Sequence, residues 1–322
     1  LAIVLIANLL SKNSSELHLP THQSVSNNNN DPTKPDSQNH NNPLNSSNKI
    51  NIDKVADKGI IKLPVLMYHH INTLDGVDPK NTIEIGLRVS PDIFEKQLEY
   101  VLSKGYTTIT ADQLNNAIQN NGQLPEKPIL ITFDDGYKDA LTYADPILKK
   151  HNAVGDFEII TGAVGKDGYL SWDDVKTLKA DGMGISSHTV NHCYLAVNVD
   201  PKTATAGPFA DSPVNDTPNQ LCPKFDSGGK LNTGQVRGEL QQSKLTLEKE
   251  LGGKISTIFY PYGKYNQQTM DIAKSLGYTL GFTVAPQTKS ELDLNHLLEL
   301  PRIRMNGQQS GDITALKHDL YN

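Results

Sequence analysis

Cysteine is nearly missing from this chain: Cys193 and Cys222 are the only two among 322 residues. Neither belongs to a CxxC pair, which excludes a structural zinc knuckle, and two thiols are too few for a disulfide scaffold. They could still close one loop in an oxidising compartment, which fits export. No basic run occurs and the net charge is −6, so the clustered cationic surface that nucleic acid requires is lacking. The apolar run Leu1–Leu10, LAIVLIANLL, is ten residues long. A membrane span takes roughly 20. Tryptophan occurs once, Trp172, at the start of a helical pattern, where packing against the core is its expected fate.

What is present divides the chain in three. Residues 1–10 suit a signal-peptide apolar region of ~7–15 residues, or half of an N-terminal anchor. The sequence starts on Leu, so the upstream end of this segment is expected to be missing. Either reading predicts export to the periplasm, the cell surface or the medium, with membrane anchoring through the N-terminus as one option. Residues 11–58 are rich in Asn, Ser, Pro and His and poor in aliphatics, including Asn27–Asn30. Such a segment buries too little surface to offset its ordering entropy and is expected to be a disordered tether. Residues 59–322 suffice for one large domain, expected to be monomeric. The mean hydropathy of −0.45 is low because the polar N-terminal stretch dilutes it.

Within that domain, short apolar runs alternate with amphipathic helical patterns. Val65–Tyr68 reads as a strand ending at His69-His70. Ser90-Pro91 opens a helix whose Phe94, Leu98 and Val101 share a face, and Gly105 closes it. Tyr106–Ile109 is a strand, followed by the capping-box pattern Thr110-Ala111-Asp112-Gln113. Pro128–Phe133, PILITF, is a continuous apolar run suited to a parallel strand buried on both faces. Further strands are expected at Val154–Ile160, Gly184–Ser187, Ile255–Tyr260, Thr279–Val284 and near Arg302–Met305. Helices follow Ser171 and cover Val236–Leu251, Gln267–Leu276 and Asp312–Leu320. About seven strands alternating with helices favour an α/β fold, a single (β/α) barrel, over an open sheet. Residues 196–235 break the rhythm and read as an inserted loop, to which Cys193 and Cys222 could be linked.

Reactive groups of such a barrel collect at the C-terminal ends of strands. Three motifs lie there. Asp134-Asp135-Gly136 follows a buried strand, and two adjacent carboxylates in that position are costly unless a positive group lies beside them. His188-Thr189-Val190-Asn191-His192 offers an i, i+4 imidazole pair which, on one helical turn, would face one side and suit a divalent metal. Tyr260-Pro261-Tyr262-Gly263 is a turn that can present a backbone N–H to an oxyanion and aromatic faces to a sugar.

TFDDG, then HTVNH about fifty residues on, then the PYG turn resemble the polysaccharide deacetylase family (NodB-homology, carbohydrate esterase 4) across roughly residues 63–320. The resemblance implies a distorted barrel and metal-dependent hydrolysis of N-acetyl groups on N-acetylglucosamine polymers. It implies that Asp135, His188 and His192 bind the metal, zinc first, with cobalt or nickel able to serve. Asp134 would be the general base and the backbone of Tyr262 an oxyanion donor. The opening strand Leu63–His70 resembles the circularly permuted branch that includes poly-β-1,6-N-acetylglucosamine deacetylases, and this carries the general acid onto His69. His70 would point the opposite way.

Phe259 stands where many relatives carry an Arg that pairs with the base. Arg302 or Arg304, at the end of the last strand, is the expected substitute. Tyr68, Tyr137 and Tyr262 flank the chemistry and are expected to meet the sugar. The expected partner is an N-acetylglucosamine polysaccharide, first the β-1,6-linked exopolymer, then peptidoglycan, then chitin-type oligomers. A barrel that binds carbohydrate without turning it over is the alternative that the Phe259 departure motivates.

Overall fold

The run Pro128–Phe133 is buried along its whole length, and it is the strand on which the others assemble. The computed structural model describes residues 49–51, 59–196, 222, 233–287 and 290–305. The expected leader, nearly all of the expected tether, almost all of the expected loop at 196–235 and the expected closing helix at 312–320 lie outside the described residues. The parallel strands are β1 (Val65–Tyr68), β2 (Thr107–Ile109), β3 (Pro128–Phe133), β4 (Asp156–Ile159), β5 (Gly184–Ser187), β6 (Thr257–Phe259), β7 (Leu280–Pro286) and β8 (Leu300–Arg304). Seven of them close in the order β1-β3-β4-β5-β6-β7-β8, because β1 pairs with both β3 and β8. β2 stands outside the ring, paired with the first half of β3, while β4 takes the second half. This shared edge, and a register shift between β7 and β8, make the barrel irregular.

The helices are α1 (Thr82–Leu87), α2 (Pro91–Ser103), α3 (Ala111–Asn120), α4 (Asp145–Lys150), α5 (Trp172–Ala180), α6 (Thr233–Leu251) and α7 (Gln267–Ser275). Thr110 and Ser171 both close capping boxes, fixing where α3 and α5 begin. Ser90 sits at the N-cap of α2, but its hydroxyl turns to Asp92 rather than to the helix backbone. Trp172 packs, half-buried, against the main core.

Period-two alternation sorts the strand side chains. Along β4, Phe157 and Ile159 join the apolar layer beneath the helices. Asp156 and Glu158 therefore face the other way, into the barrel. A second apolar cluster, with Val65, Leu130, Phe259, Leu280, Phe282 and Leu300, fills the lower interior. Polar chemistry is thus confined to the upper half, where the strands end.

One expectation is corrected here. Residues 49–51, placed within the tether, form a strand (Lys49–Asn51) antiparallel to Gln123–Pro125. The backbone groups of that edge find partners in a segment whose composition gave no sign of it. Cys193 and Cys222 are joined as a disulfide. No helix among the described residues is long and apolar enough to cross a membrane.

Packing at one glycine yields a test. A Cβ at Gly184 would fall 2.0 Å from Asp156 Oδ2 and 2.7 Å from its Cγ, inside a buried carboxyl held by Ser186 and the Ala111 N–H. A Cβ at Gly238 on α6 meets nothing within 4 Å. Gly184→Ala should therefore destabilise by about 1–3 kcal/mol through overpacking. Gly238→Ala should stabilise by about 0.5–1 kcal/mol through helix propensity. Denaturant unfolding of the two variants checks both signs.

Candidate active site

Past the end of β3 the backbone turns twice through the left-handed region, at Asp135 (φ 77°) and Gly136 (φ 73°). Only the second is a glycine, so the first carries strain. The turn is tied from outside, with Lys138 N–H donating to Gly168 and Leu170 N–H to Gly136. It sends the two adjacent carboxylates to different partners.

Asp134 meets Arg302. The guanidinium donates Nη1 to Oδ1 at 2.5 Å and Nη2 to Oδ2 at 2.8 Å, and also reaches Thr132 Oγ1 and the Thr283 carbonyl. Arg302 is fully buried, and its guanidinium carbon lies 4.9 Å from the centre of the Phe259 ring. The residue standing in place of the expected arginine is the aromatic surface beneath an arginine supplied by another strand. Burial works against ionisation of Asp134, yet the charge and hydrogen bonds of Arg302, with His69 and His188, hold its carboxyl below the usual carboxylate range. Of the two arginines expected here, Arg302 makes the ion pair. Arg304 is half-buried, and its charge is felt at His69.

Asp135 meets the histidines. His188 Nε2 and His192 Nε2 each lie 3.2 Å from its Oδ1. The expected helical turn is not what brings them together: Thr189 (φ 66°) and His192 (φ 56°) are left-handed, and the segment is a loop. Glu239, on the buried face of α6, holds that loop. Its carboxylate accepts the Val190 and Asn191 N–H groups and the Asn191 side-chain amide. Nothing singled Glu239 out in sequence beyond a carboxylate at the apolar spacing of Val236, Leu240 and Leu247.

These three residues fit a divalent cation. Asp135 Oδ1 is buried without a hydrogen-bond partner. His188 Nδ1 lies 2.9 Å from the Phe259 carbonyl, which fixes the proton there and leaves the Nε2 lone pair toward the cluster. Despite burial, the neighbouring histidines hold Asp135 well below the usual carboxylate range, while burial pushes His192 down to about 4. A deprotonated carboxylate beside a neutral imidazole is the protonation state that metal binding needs.

His69 directly follows β1 with its Nε2 3.9 Å from Asp134 Oδ2, and its buried Nδ1 has no hydrogen-bond partner. Burial, opposed by Asp134 and Asp135, lowers its pKa to about 4. Tyr262, left-handed at φ 56° within the PYG turn, packs tilted against His192 at 4.4 Å and edge-on against Tyr194 at 4.7 Å. Tyr137 packs beside Tyr169, with ring centroids 5.2 Å apart. Tyr68 is a correction: it is 1 % exposed, its hydroxyl donates to Gln97, and its ring packs on Phe94 and Phe133. Its position two before His70 on the outer face of β1 put it in the core rather than at the sugar.

The barrel also hides a carboxyl that sequence reasoning missed. Glu158 is fully buried, and neither oxygen has a hydrogen-bond partner. Four donations of Arg302 already go to Asp134, Thr132 and Thr283. Burial first, then the charges of Asp134 and Asp156, push the Glu158 pKa well up against the opposing pull of Arg302.

Comparison with known proteins agrees with this geometry. The polysaccharide deacetylase family profile matches residues 121–281, half of the chain. The chain belongs to the polysaccharide deacetylase family. The Bacillus subtilis polysaccharide deacetylase homologue YxkH is 28% identical over 250 residues, covering 78% of this chain and 74% of YxkH. A Staphylococcus aureus poly-β-1,6-N-acetyl-D-glucosamine N-deacetylase is 24% identical over 202 residues, 61% of each protein. The structure of the Streptococcus pyogenes deacetylase PplD with acetate superposes with a TM-score of 0.61 at 29% identity, over 81% of this chain and 99% of that one. Family, fold and a metal-competent cluster together mark a carbohydrate esterase 4-type hydrolase.

Glu158 gives this deacetylase a stability signature. Its folded pKa is raised, so above about pH 4.3 the unfolded chain loses this proton while the folded one keeps it. That linkage lowers stability as pH rises. Glu158→Gln removes it, and its stability advantage over wild type should grow from pH 4 to pH 8. Thermal melts across that range check the slope; an advantage that shrinks with pH would mean the carboxyl is ionised in the fold.

Proposed function

We propose that this protein hydrolyses N-acetyl groups from N-acetylglucosamine residues of an extracellular polysaccharide, with poly-β-1,6-N-acetylglucosamine the first substrate. The observation that carries the reading is the division of two adjacent carboxylates: Asp134 on Arg302, Asp135 on the two histidines. Asp135, His188 and His192 would hold the metal, zinc first. A divalent ion held by these three residues would supply Lewis acidity, polarising the acetamide carbonyl and making water easier to deprotonate.

Asp134 is the general base. Arg302 keeps its carboxylate ionised and fixed in orientation, so it accepts the proton of the attacking water without reorganisation. His69 is the general acid at the leaving nitrogen. Asp134 Oδ2 lies 3.9 Å from His69 Nε2, so the proton taken from water reaches His69, and from it the amine nitrogen as the C–N bond breaks, once the two side chains close to hydrogen-bond distance. At neutral pH the resting imidazole is uncharged, so His69 acts after Asp134 in the cycle. Tyr262 and Tyr137 are the proposed sugar-contacting residues, and the Tyr262 backbone N–H is the proposed oxyanion donor. The charge of Arg304 adds to the positive potential around the base.

The β-1,6 exopolymer leads because the opening strand Leu63–His70 resembles that branch and the Staphylococcus aureus relative acts on that polymer by name. Peptidoglycan ranks second and chitin-type oligomers third. Export, with the N-terminal segment as leader or anchor, and a monomeric state are part of the same proposal. The departure at Phe259 that motivated a non-catalytic reading is met by Arg302, which supports turnover.

Acetate release from poly-β-1,6-N-acetylglucosamine and from peptidoglycan, with zinc or cobalt, tests this. Asp134→Asn should lower kcat by about 10²–10⁴-fold, the usual worth of a general base. Arg302→Ala should cost most of that activity, and Arg304→Ala much less. Undiminished release by Asp134→Asn, or none from either polymer by metal-loaded wild type, would overturn the assignment.

A further inference from the structure

The two cluster histidines are fixed by different means. His188 directly follows β5, and its ring is held at Nδ1 by the Phe259 carbonyl, 2.9 Å away. His192 differs: among the described residues its hydrogen bond comes from the backbone, whose N–H donates to Thr189 Oγ1 at 3.1 Å. Its ring packs tilted against Tyr262 at 4.4 Å. Where the His192 imidazole points is therefore set mainly by the backbone that carries it. That backbone is strained, since Thr189 and His192 both lie in the left-handed region, at φ 66° and 56°. For a β-branched residue such as Thr189 this is a genuine outlier, and it persists only where the surroundings over-determine it.

The determination comes from α6. Glu239 Oε2 accepts the Val190 N–H at 3.0 Å and the Asn191 N–H at 2.8 Å, and Oε1 accepts the Asn191 side-chain amide at 2.7 Å. One turn further along the helix, on the same buried face, Ser243 meets Ser187 hydroxyl to hydroxyl at 2.8 Å. Ser187 is the residue before His188, so α6 grips the segment at its start and again just before its end. The loop carbonyls are taken elsewhere: Thr189 accepts from the Thr161 N–H at 3.1 Å and Val190 from the Gly162 N–H at 2.9 Å. Val236, Leu240 and Leu247 seat α6 itself in the main core. A carboxylate anchored in this way, holding both N–H groups that precede His192, leaves little freedom in where that residue stands.

We propose that Glu239 is a positioning residue for the metal centre: through its bonds to Val190 and Asn191 it holds His192 where the imidazole meets Asp135, and so sets how tightly the cluster binds a divalent cation. This rests on the reading of Asp135, His188 and His192 as metal ligands. Groups behind ligating side chains typically change metal affinity by about 10–100-fold. The pairing of the Glu239 carboxylate with the Asn191 amide also predicts a particular pattern among variants, because donor and acceptor can be exchanged between the two side chains.

The zinc dissociation constant of the full chain, measured under mildly alkaline conditions by competition with a chromophoric chelator, tests the proposal without any substrate. Glu239→Ala should weaken zinc binding by about tenfold or more. Glu239→Gln should keep most of the affinity, since its amide oxygen accepts the two backbone N–H groups while the Asn191 amide turns over to accept from its NH2. Asn191→Asp sets two carboxylates against each other and should weaken binding, although added negative charge alone would favour a cation. Combining Glu239→Gln with Asn191→Asp returns a donor to the pair and should recover most of that loss. A well-folded Glu239→Ala with wild-type affinity would overturn the proposal. So would an Asn191→Asp variant that binds as tightly as wild type, or one whose loss Glu239→Gln leaves in place, and these results stand whether or not Glu239→Ala folds. Wild type that binds no zinc would instead remove the metal-site reading itself, and this inference with it.

Discussion

A guanidinium sealed inside a barrel has to be answered by an anion, and the pair Arg302–Asp134 is that answer. Neither partner is more than 4% exposed at the side chain. Desolvating two such charges costs several kcal/mol each, which good geometry and extra hydrogen bonds can offset. Here the bond is two-pronged, Thr132 and Thr283 take further donors, and Phe259 lies against the cationic plane. Because Arg302 comes from β8 and Asp134 from the end of β3, the pair spans β1 and fixes the strand carrying His69 between them. It also leaves Asp135 without a cation of its own, and the histidine loop supplies the surroundings that Asp135 lacks.

The cost of that arrangement shows in the backbone. Seven non-glycine residues among those described have positive φ, and four of them are Asp135, Thr189, His192 and Tyr262. Each such conformation costs of order 1–3 kcal/mol and persists only where the surroundings over-determine it. Glu239 does this for the histidine loop, the bonds to Gly168 and from Leu170 do it for the carboxylate turn, and the disulfide at Cys193 adjoins His192. The strands are short and rigid, the reactive loops are strained, and second-layer residues absorb the difference.

Much of this was legible in the sequence where a single element decides the outcome. PILITF is a buried strand whatever surrounds it, Thr110 and Ser171 announce their helices, and DDG at a strand end needs a positive neighbour. What was not legible depends on which faces meet. The spacing of His188 and His192 suits a helix as well as a left-handed loop, and only Glu239, 47 residues beyond His192 in chain order, decides it. Tyr68 and His70 lie near the chemistry in sequence, yet strand alternation turns both to the outer face, where Tyr68 meets Gln97 in the core and His70 meets Asp139. Arg302 and Arg304 share one strand face, and only barrel closure puts the first on Asp134. Glu158 gave no signal, since a carboxyl between Phe157 and Ile159 reads as the exposed position of an ordinary strand until the barrel closes over it.

The account stands on the two adjacent carboxylates having different partners and different work. Anomalous diffraction from crystals grown with zinc tests this most directly. It predicts one ion per chain bound by Asp135, His188 and His192 at about 2.0–2.2 Å, with Asp134 still paired to Arg302. An ion bridging both carboxylates, or Asp134 turned from Arg302 to ligate it, would contradict the division of roles on which the mechanism rests.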